Sequence, residues 1–290
     1  MATIYMRKCV VLMLFCLLFV FHIEHAFGSI VSSEAGSIEG VLVPFPNGNV
    51  YQFKGIPYAK PPVGPLRFSK PVKQPPWSDT LNATEYKPGC IQSDPGNLPT
   101  SEDCLFLNVY VPSEVSAIAN KTVMVWIHGG GYTSGAGSLY DGSFLALHGD
   151  VIVVTLNYRL GVLGFFSTGD ANARGNYGLW DQIEALKWVK SNIRNFGGNP
   201  DSVTLFGESA GAFSVSHLAI MPSNKGLFHR VIMQSGSLGS FGSVIRYPAD
   251  AASNFGSFLQ CSGSDNSELL LTCLRGISTV RYFCLKVYYY

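Results

Sequence analysis

Four short apolar runs constrain this chain more than any other feature: Val123-Met124-Val125-Trp126-Ile127, Val151 to Leu156 (VIVVTL), Val203-Thr204-Leu205-Phe206 and Val231-Ile232-Met233. They lack polar alternation, are rich in β-branched residues and are bounded by Gly, the pattern of strands covered on both faces of a parallel sheet. Between the second and third runs, Leu179, Ile183, Leu186, Val189 and Ile193 step by 4, 3, 3 and 4 and form one apolar helical stripe, which Gly197-Gly198 ends. Strand, helix, strand at this spacing is a βαβ unit, so the expected class is α/β, a mostly parallel central sheet flanked by helices. Upstream, Val41, Val43 and Phe45 alternate, Asn47-Gly48 turns, and Val50, Tyr51 and Phe53 return as a hairpin over Gly40 to Phe53. Residues 55–78 are Pro-rich and are expected to form an extended surface arm. There are no internal repeats, and the Gly/Ser stretch Ser235 to Ser243 is too brief to separate domains.

Charge excludes several classes of function. Lys+Arg number 20 against Asp+Glu 19, and only 13% of the 290 residues are charged, so neither a disordered polyelectrolyte nor a nucleic-acid binder is expected. The N-terminus carries Arg7 and Lys8, then the uncharged apolar run Cys9 to Ile23, then Ala26-Phe27-Gly28 with small residues at both peptidase-read positions. This is a secretory signal layout over residues 1–28; the run is shorter than the ~20 residues that cross a bilayer. Without that leader the count is 18 positive against 18 negative. No later segment is long and apolar enough to span, so a soluble, exported chain is expected.

Cys90, Cys104, Cys261, Cys273 and Cys284 remain after the leader. In an oxidising compartment Cys90/Cys104 and Cys261/Cys273 would each close a short loop; zinc is the alternative, but no C-x₂-C pair or His cluster supports it. Cys284 is left odd. Asn82-Ala83-Thr84 and Asn120-Lys121-Thr122 are glycosylation acceptors for an exported chain.

Gly207-Glu208-Ser209-Ala210-Gly211 matches G-x-S-x-G, with a buried strand run before it and a helix-compatible stretch after it. Glycines beside the serine permit a tight strand-to-helix turn that lifts the Ser209 hydroxyl to the C-terminal edge of the sheet. His128-Gly129-Gly130-Gly131 directly follows the first run, where an H-G-G-G loop supplies backbone N–H donors for an oxyanion. The expected donors are Gly130, Gly131 and Ala210, each contributing about 3 kcal/mol to a tetrahedral intermediate. A phosphate loop is disfavoured because no G-K-[ST] follows. The bland readings are a structural turn at Ser209 and a flexible turn at the glycines, but two such motifs, both after strands, make coincidence a poor account.

From about Gly36 to Gly276 the chain resembles the type-B carboxylesterase/cholinesterase family of α/β-hydrolases. The likeness rests on FKGIPYAKPPVGPLRF (Phe53 to Phe68), SEDCLFLNVYVP (Ser101 to Pro112), VMVWIHGGG (Val123 to Gly131), NYRLGVLGFF (Asn157 to Phe166) and the block Gly175 to Gly236. The resemblance implies an α/β-hydrolase fold, Ser209 as nucleophile, Gly130, Gly131 and Ala210 as oxyanion hole, and small-molecule esters as substrates with no cofactor. It also implies disulfides Cys90–Cys104 and Cys261–Cys273 and buried ion pairs Arg67–Glu102 and Arg159–Asp181. The cholinesterase branch is disfavoured, because the loop Ile91 to Asp103 has no aromatic residue to hold a cationic head group. H-G-G-G with Tyr140-Asp141-Gly142 after it fits the carboxylesterase branch, and neuroligin-like members usually lack the serine.

The family places its triad acid and histidine far downstream of the serine, and this sequence offers neither in the expected place. His217 stands eight residues past Ser209, about 12 Å along a helix; His128, His148 and His229 have structural positions. The expectation is a secreted serine ester hydrolase by family, present as its N-terminal part (29–276) with a non-family tail (277–290), and inactive as given. The alternative is a non-catalytic secreted binding or decoy protein, or a fragment without function.

Overall fold

A computed structural model describes residues 29–112, 118–240 and 247–278. The leader reading, Cys284 and most of the 277–290 tail lie outside the described residues.

Twelve strands lie among the described residues: β1 (Ile30–Ser32), β2 (Ser37–Glu39), β3 (Val41–Phe45), β4 (Gly48–Pro57), β5 (Leu81–Asn82), β6 (Gly89–Cys90), β7 (Thr100–Ser101), β8 (Phe106–Pro112), β9 (Lys121–Ile127), β10 (Ile152–Leu156), β11 (Gly198–Glu208) and β12 (Arg230–Gln234). Seven of them form the main sheet in the order β12-β11-β9-β10-β8-β4-β3. The four apolar runs supply its parallel half: β12 with β11, β11 with β9, and β9 with β10. The other half is antiparallel, made of β8 and the β3–β4 hairpin. The sheet is therefore mixed. The expected hairpin is present, but Phe45 pairs with Gly48, so the two turn residues are Pro46 and Asn47 rather than the expected Asn47-Gly48. β8 was legible only as part of the family-like block Ser101 to Pro112; its membership of the sheet depends on pairing with both β10 and β4, which no local pattern encodes.

Six helices are described: α1 (Ser143–Gly149), α2 (Gly161–Phe165), α3 (Tyr177–Asn192), α4 (Ala210–Ile220), α5 (Pro248–Phe258) and α6 (Ser267–Gly276). The expected helix is α3. Ile183, Leu186 and Val189 are buried as the stripe requires, and a 3₁₀ turn over Ile193–Phe196 ends at Gly197 in the left-handed region, φ 87°. The core runs through Val123, Val125, Ile127, Ile152, Val154, Leu156, Val203 and Leu205 against α3 and α4.

Two expectations are revised. The Val231–Met233 run is not covered on both faces: all five residues of β12 are exposed, because among the described residues β12 is an edge strand with β11 as its only neighbour. The Pro-rich stretch 55–78 is not a free surface arm. It buries Tyr58, Ala59, Arg67 and Phe68, and Phe68 enters a second small core with Leu163, Phe166, Phe255, Leu270 and Leu274.

Disulfides join Cys90 to Cys104 and Cys261 to Cys273. The second clasps the end of α5 to α6 and closes a 12-residue interval, worth roughly 3 kcal/mol in the chain-entropy model. Arg67 then anchors this subassembly: its Nε and Nη2 donate to Glu102 at 2.7 and 2.8 Å, and Nη1 donates to the carbonyls of Leu274, Arg275 and Ile277. A cation at the C-terminal end of α6 satisfies carbonyls that a helix leaves without partners.

Candidate active site

β11 ends at Glu208, α4 begins at Ala210, and Ser209 alone makes the turn between them. Its backbone sits at φ 54°, ψ −121°, a region an L-residue enters only under constraint. The constraint comes from three sides. The Ser209 N–H donates to the Gln234 carbonyl of β12 at 2.9 Å, and its carbonyl accepts from Phe213 N–H at 2.9 Å in the first turn of α4. Gly207 and Gly211 let the turn close: a Cβ on Gly207 would stand 2.7 Å from the Gly211 carbonyl carbon, and one on Gly211 would collide with the Ile127 carbonyl. Ser209 is half-buried, and its hydroxyl makes no hydrogen bond among the described residues.

The H-G-G-G loop leaves β9 beside this turn. A Cβ on Gly129 would come 3.2 Å from Ser209 Cβ and 2.8 Å from the Glu208 carbonyl, so only glycine permits that approach. Gly130 and Gly131 take φ of 102° and 61°. The Gly130 carbonyl turns inward and accepts from the Thr133 and Ser134 N–H groups, both at 3.0 Å. In a trans peptide that orientation directs the Gly131 N–H to the opposite side. No described group accepts from Gly130 or Gly131 N–H. Ala210 is the first residue of α4, so its N–H has no intrahelical partner. Gly130 and Gly131 are solvent-exposed, while Ala210 is buried.

Buried side chains behind the loop fix it. His128 is buried, stacks on Tyr158 at 4.4 Å between centroids, and its Nδ1–H donates to the Gly129 carbonyl at 2.8 Å. Burial lowers its pKa from 6.5 to about 4, against the smaller opposing effect of that hydrogen bond, so it is neutral at pH 7. Tyr158 donates its hydroxyl to the His128 carbonyl at 2.8 Å. Beyond Gly131, the Tyr132 carbonyl accepts from Gly161 N–H at 2.7 Å, and its hydroxyl accepts from Ser214 of α4 at 3.2 Å. Gln182 of α3 donates to Ser214 at 3.1 Å. Burial raises the Tyr132 pKa to about 12.

Arg159 and Asp181 form a buried bidentate pair two residues before Gly161, and Arg67 forms a part-buried bidentate pair with Glu102, which lies within the Cys90–Cys104 loop. Neither pair belongs to the reacting constellation. Tyr132 and Gln234 are the neighbours that pattern reading passed over. Tyr132 follows the glycines directly, so its adjacency was visible; Gln234 acts through its carbonyl, which leaves no trace in residue type.

The four described histidines are all remote from the Ser209 hydroxyl in their bonding. His128 is committed to the loop, His148 Nδ1 to the Phe144 carbonyl at 3.0 Å, and His229 Nδ1 accepts from Val203 N–H at 3.1 Å. His217 lies in the last turn of α4. A cavity of about 310 Å³ lined by Tyr58, Lys73, Trp188 and Asn192 shares no residue with this site. Among the described residues no three His, Cys, Asp or Glu side chains gather to hold a metal, and no helix is long and apolar enough to cross a membrane.

Asn82 and Asn120 are both exposed. The Asn82 side-chain oxygen accepts from Thr84 N–H and Thr84 Oγ1 at 3.1 and 2.7 Å, an Asx turn across the acceptor tripeptide.

Comparison with known proteins identifies the family. The model of the Carboxylesterase family matches residues 28–283. Mouse acylcarnitine hydrolase is 45% identical over 263 residues, covering 85% of this chain and 47% of that protein. Human cocaine esterase is 46% identical over 263 residues, again 85% of this chain and 47% of that protein. Mouse carboxylesterase 1D is 51% identical over 215 residues, 69% of this chain and 37% of that protein. The chain thus spans about half the length of the curated relatives it matches. With an elbow serine after β11, a glycine loop after β9 and a mixed sheet flanked by helices, the chain belongs to the carboxylesterase family and has its α/β-hydrolase fold.

Proposed function

We propose that the chain is part of a serine hydrolase of small-molecule carboxylic esters, with Ser209 as nucleophile and the N–H groups of Gly130, Gly131 and Ala210 as oxyanion hole. The observation that carries this is Ser209 itself: a non-glycine residue at φ 54° with an unengaged hydroxyl, at a strand-to-helix turn where Gly129 makes its closest approach. Oγ attacks the acyl carbon, the carbonyl electron pair moves to oxygen, and the N–H donors hold the developing charge. Collapse expels the alcohol and leaves an acyl-serine, which water then hydrolyses. Neither step requires a metal or an organic cofactor.

Both steps need a base for the attacking proton. None of the described histidines bonds to Ser209, which supports the reading that residues 29–290 alone turn over esters far more slowly than a complete triad allows. The oxyanion hole and binding by themselves retain about 10³–10⁴-fold over water in enzymes stripped of a triad. The leader-like residues 1–28, the two disulfides and the exposed Asn82 and Asn120 support export through an oxidising compartment, with glycans at those two positions.

The test is labelling with a fluorophosphonate followed by mass spectrometry of the Ser209 peptide. Slow labelling confined to Ser209 is expected. Labelling spread over other serines with Ser209 untouched would remove it as nucleophile, and fast stoichiometric labelling would show a base acting within the chain. Ester binding without any labelling would favour a non-catalytic binding protein.

A further inference from the structure

Gly130, Gly131 and Tyr132 take left-handed φ in succession, 102°, 61° and 61°. Glycine enters that region freely; an aromatic residue stays there only where its surroundings over-determine it. At Tyr132 they do so from three directions. Its carbonyl accepts from Gly161 N–H at 2.7 Å. Its ring lies against Phe165 of α2, 4.6 Å between centroids, and edge-on to Tyr158 at 6.5 Å. Its hydroxyl accepts from Ser214 Oγ at 3.2 Å.

The third contact differs from the others in where it leads. Ser214 stands on α4, whose first residue, Ala210, directly follows Ser209. The Tyr132 hydroxyl therefore joins the loop that bears Gly130 and Gly131 to the helix that bears Ala210. Among the described residues no other hydrogen bond links residues 129–134 to α4. Ser214 and Gln182 are fully buried. Because Gln182 Nε2 donates to Ser214 Oγ at 3.1 Å, the one proton of Ser214 is left to point at Tyr132, and the contact has a fixed polarity.

We propose that Tyr132 is a positioning residue: its hydroxyl, held by Ser214, sets where the Gly130 and Gly131 N–H groups stand relative to Ser209 and the Ala210 N–H. The proposal rests on the reading of those three N–H groups as an oxyanion hole. Such donors act only when they stand about 2.7–3.1 Å from the place where the charged oxygen develops. Two of them sit on a solvent-exposed glycine loop and the third on a helix. A tether between loop and helix makes their spacing a property of the fold, and without it the spacing would follow the drift of the loop. One neutral hydrogen bond of this kind limits the effect to about two- to tenfold in rate.

Two probes that differ in one atom test it: a fluorophosphonate and its P=S analogue, each followed as the rate of Ser209 labelling by mass spectrometry. With both, Oγ forms the O–P bond, the P–F bond breaks, and fluoride and the serine proton leave to solvent. Only the P=O oxygen is a strong acceptor for the N–H groups; sulfur is larger and accepts weakly. Tyr132→Phe and Ser214→Ala are each expected to slow the P=O probe about two- to tenfold and to leave the P=S probe almost unchanged. The double variant should be no slower than either single, because both remove the same bond. Circular dichroism and thermal melting check folding, and the double, which has neither hydroxyl, serves if a single does not fold. Unslowed P=O labelling in folded variants overturns the proposal. So does equal slowing of both probes, which marks a general loosening, or a double slowed by the product of the two singles, which marks two separate effects. Unfolding of all three variants would make the contact purely structural and overturn it as well. Failure of the hydrolase reading looks different: Ser209 of the unaltered protein then takes neither probe, and the positioning role falls with it.

Discussion

Arg159 and Asp181 are joined by three hydrogen bonds inside the protein: Nε to Oδ2 at 2.7 Å, Nη2 to Oδ1 at 2.6 Å, and the Arg159 N–H to Oδ2 at 3.0 Å. The carboxylate has no exposed side-chain surface and the guanidinium almost none. Because Gly161, two residues on, donates to the Tyr132 carbonyl, the pair fixes the strap that holds the glycine loop in place. Neither residue bonds to Ser209, but together they hold the segment that bears on the glycine loop.

Removing one partner leaves a buried charge without compensation. Asp181→Asn is expected to cost about 3–5 kcal/mol, read as a lowered urea midpoint with unchanged slope. A cost below about 1 kcal/mol would mean the strap has other supports of equal strength.

His128 makes stability depend on pH between its ordinary pKa of 6.5 and its folded value of about 4. In that window the unfolded chain binds the proton and the folded chain does not, so stability falls as pH falls. His128 contributes fully above about pH 6.5, and about 3 kcal/mol is lost by pH 4. His128→Gln should flatten that part of the profile, measured by denaturant unfolding at successive pH values. An unaltered slope would place the proton uptake elsewhere.

Ser209→Gly should stabilise the fold by about 1 kcal/mol by relieving the left-handed backbone, while Ser209→Ala should not. Both should lose fluorophosphonate labelling. Equal melting temperatures for the two variants would show that the turn stores no strain at φ 54°.

Gly211→Ala puts a methyl group against the Ile127 carbonyl. A loss of about 3 kcal/mol or more is expected, because the obstacle is backbone and cannot rotate away. The yield of folded protein and thermal melting report it, and wild-type behaviour would refute the packing argument.

Breaking the disulfide with Cys261→Ser and Cys273→Ser should loosen α5 and α6 before the main sheet. Limited proteolysis is expected to cut first within residues 248–277, with a stability loss of roughly 3 kcal/mol. First cleavage inside the main sheet would show that the small core does not open separately.

The sequence by itself determined what is written in local pattern. Four β-branched runs, one apolar stripe from Leu179 to Ile193, the alternating hairpin strands around residues 41–53 and the two glycine-flanked motifs each encode their own backbone within a few residues. That is enough for an α/β sheet with Ser209 at the top of a strand, because period and turn chemistry act over short distances. Only the tertiary structure decided what depends on partners far along the chain. It placed β8 between β10 and β4, sent Arg67 to the carbonyls ending α6 some 207 residues away, and brought Gly129 against Ser209 and the Gln234 carbonyl to the Ser209 N–H. Among the described residues it also left Val231–Met233 exposed beside β11 alone, although the run is as apolar as its buried neighbours. Apolar residues state a preference for burial, and whether a strand finds cover on both sides is settled by which other segments reach it.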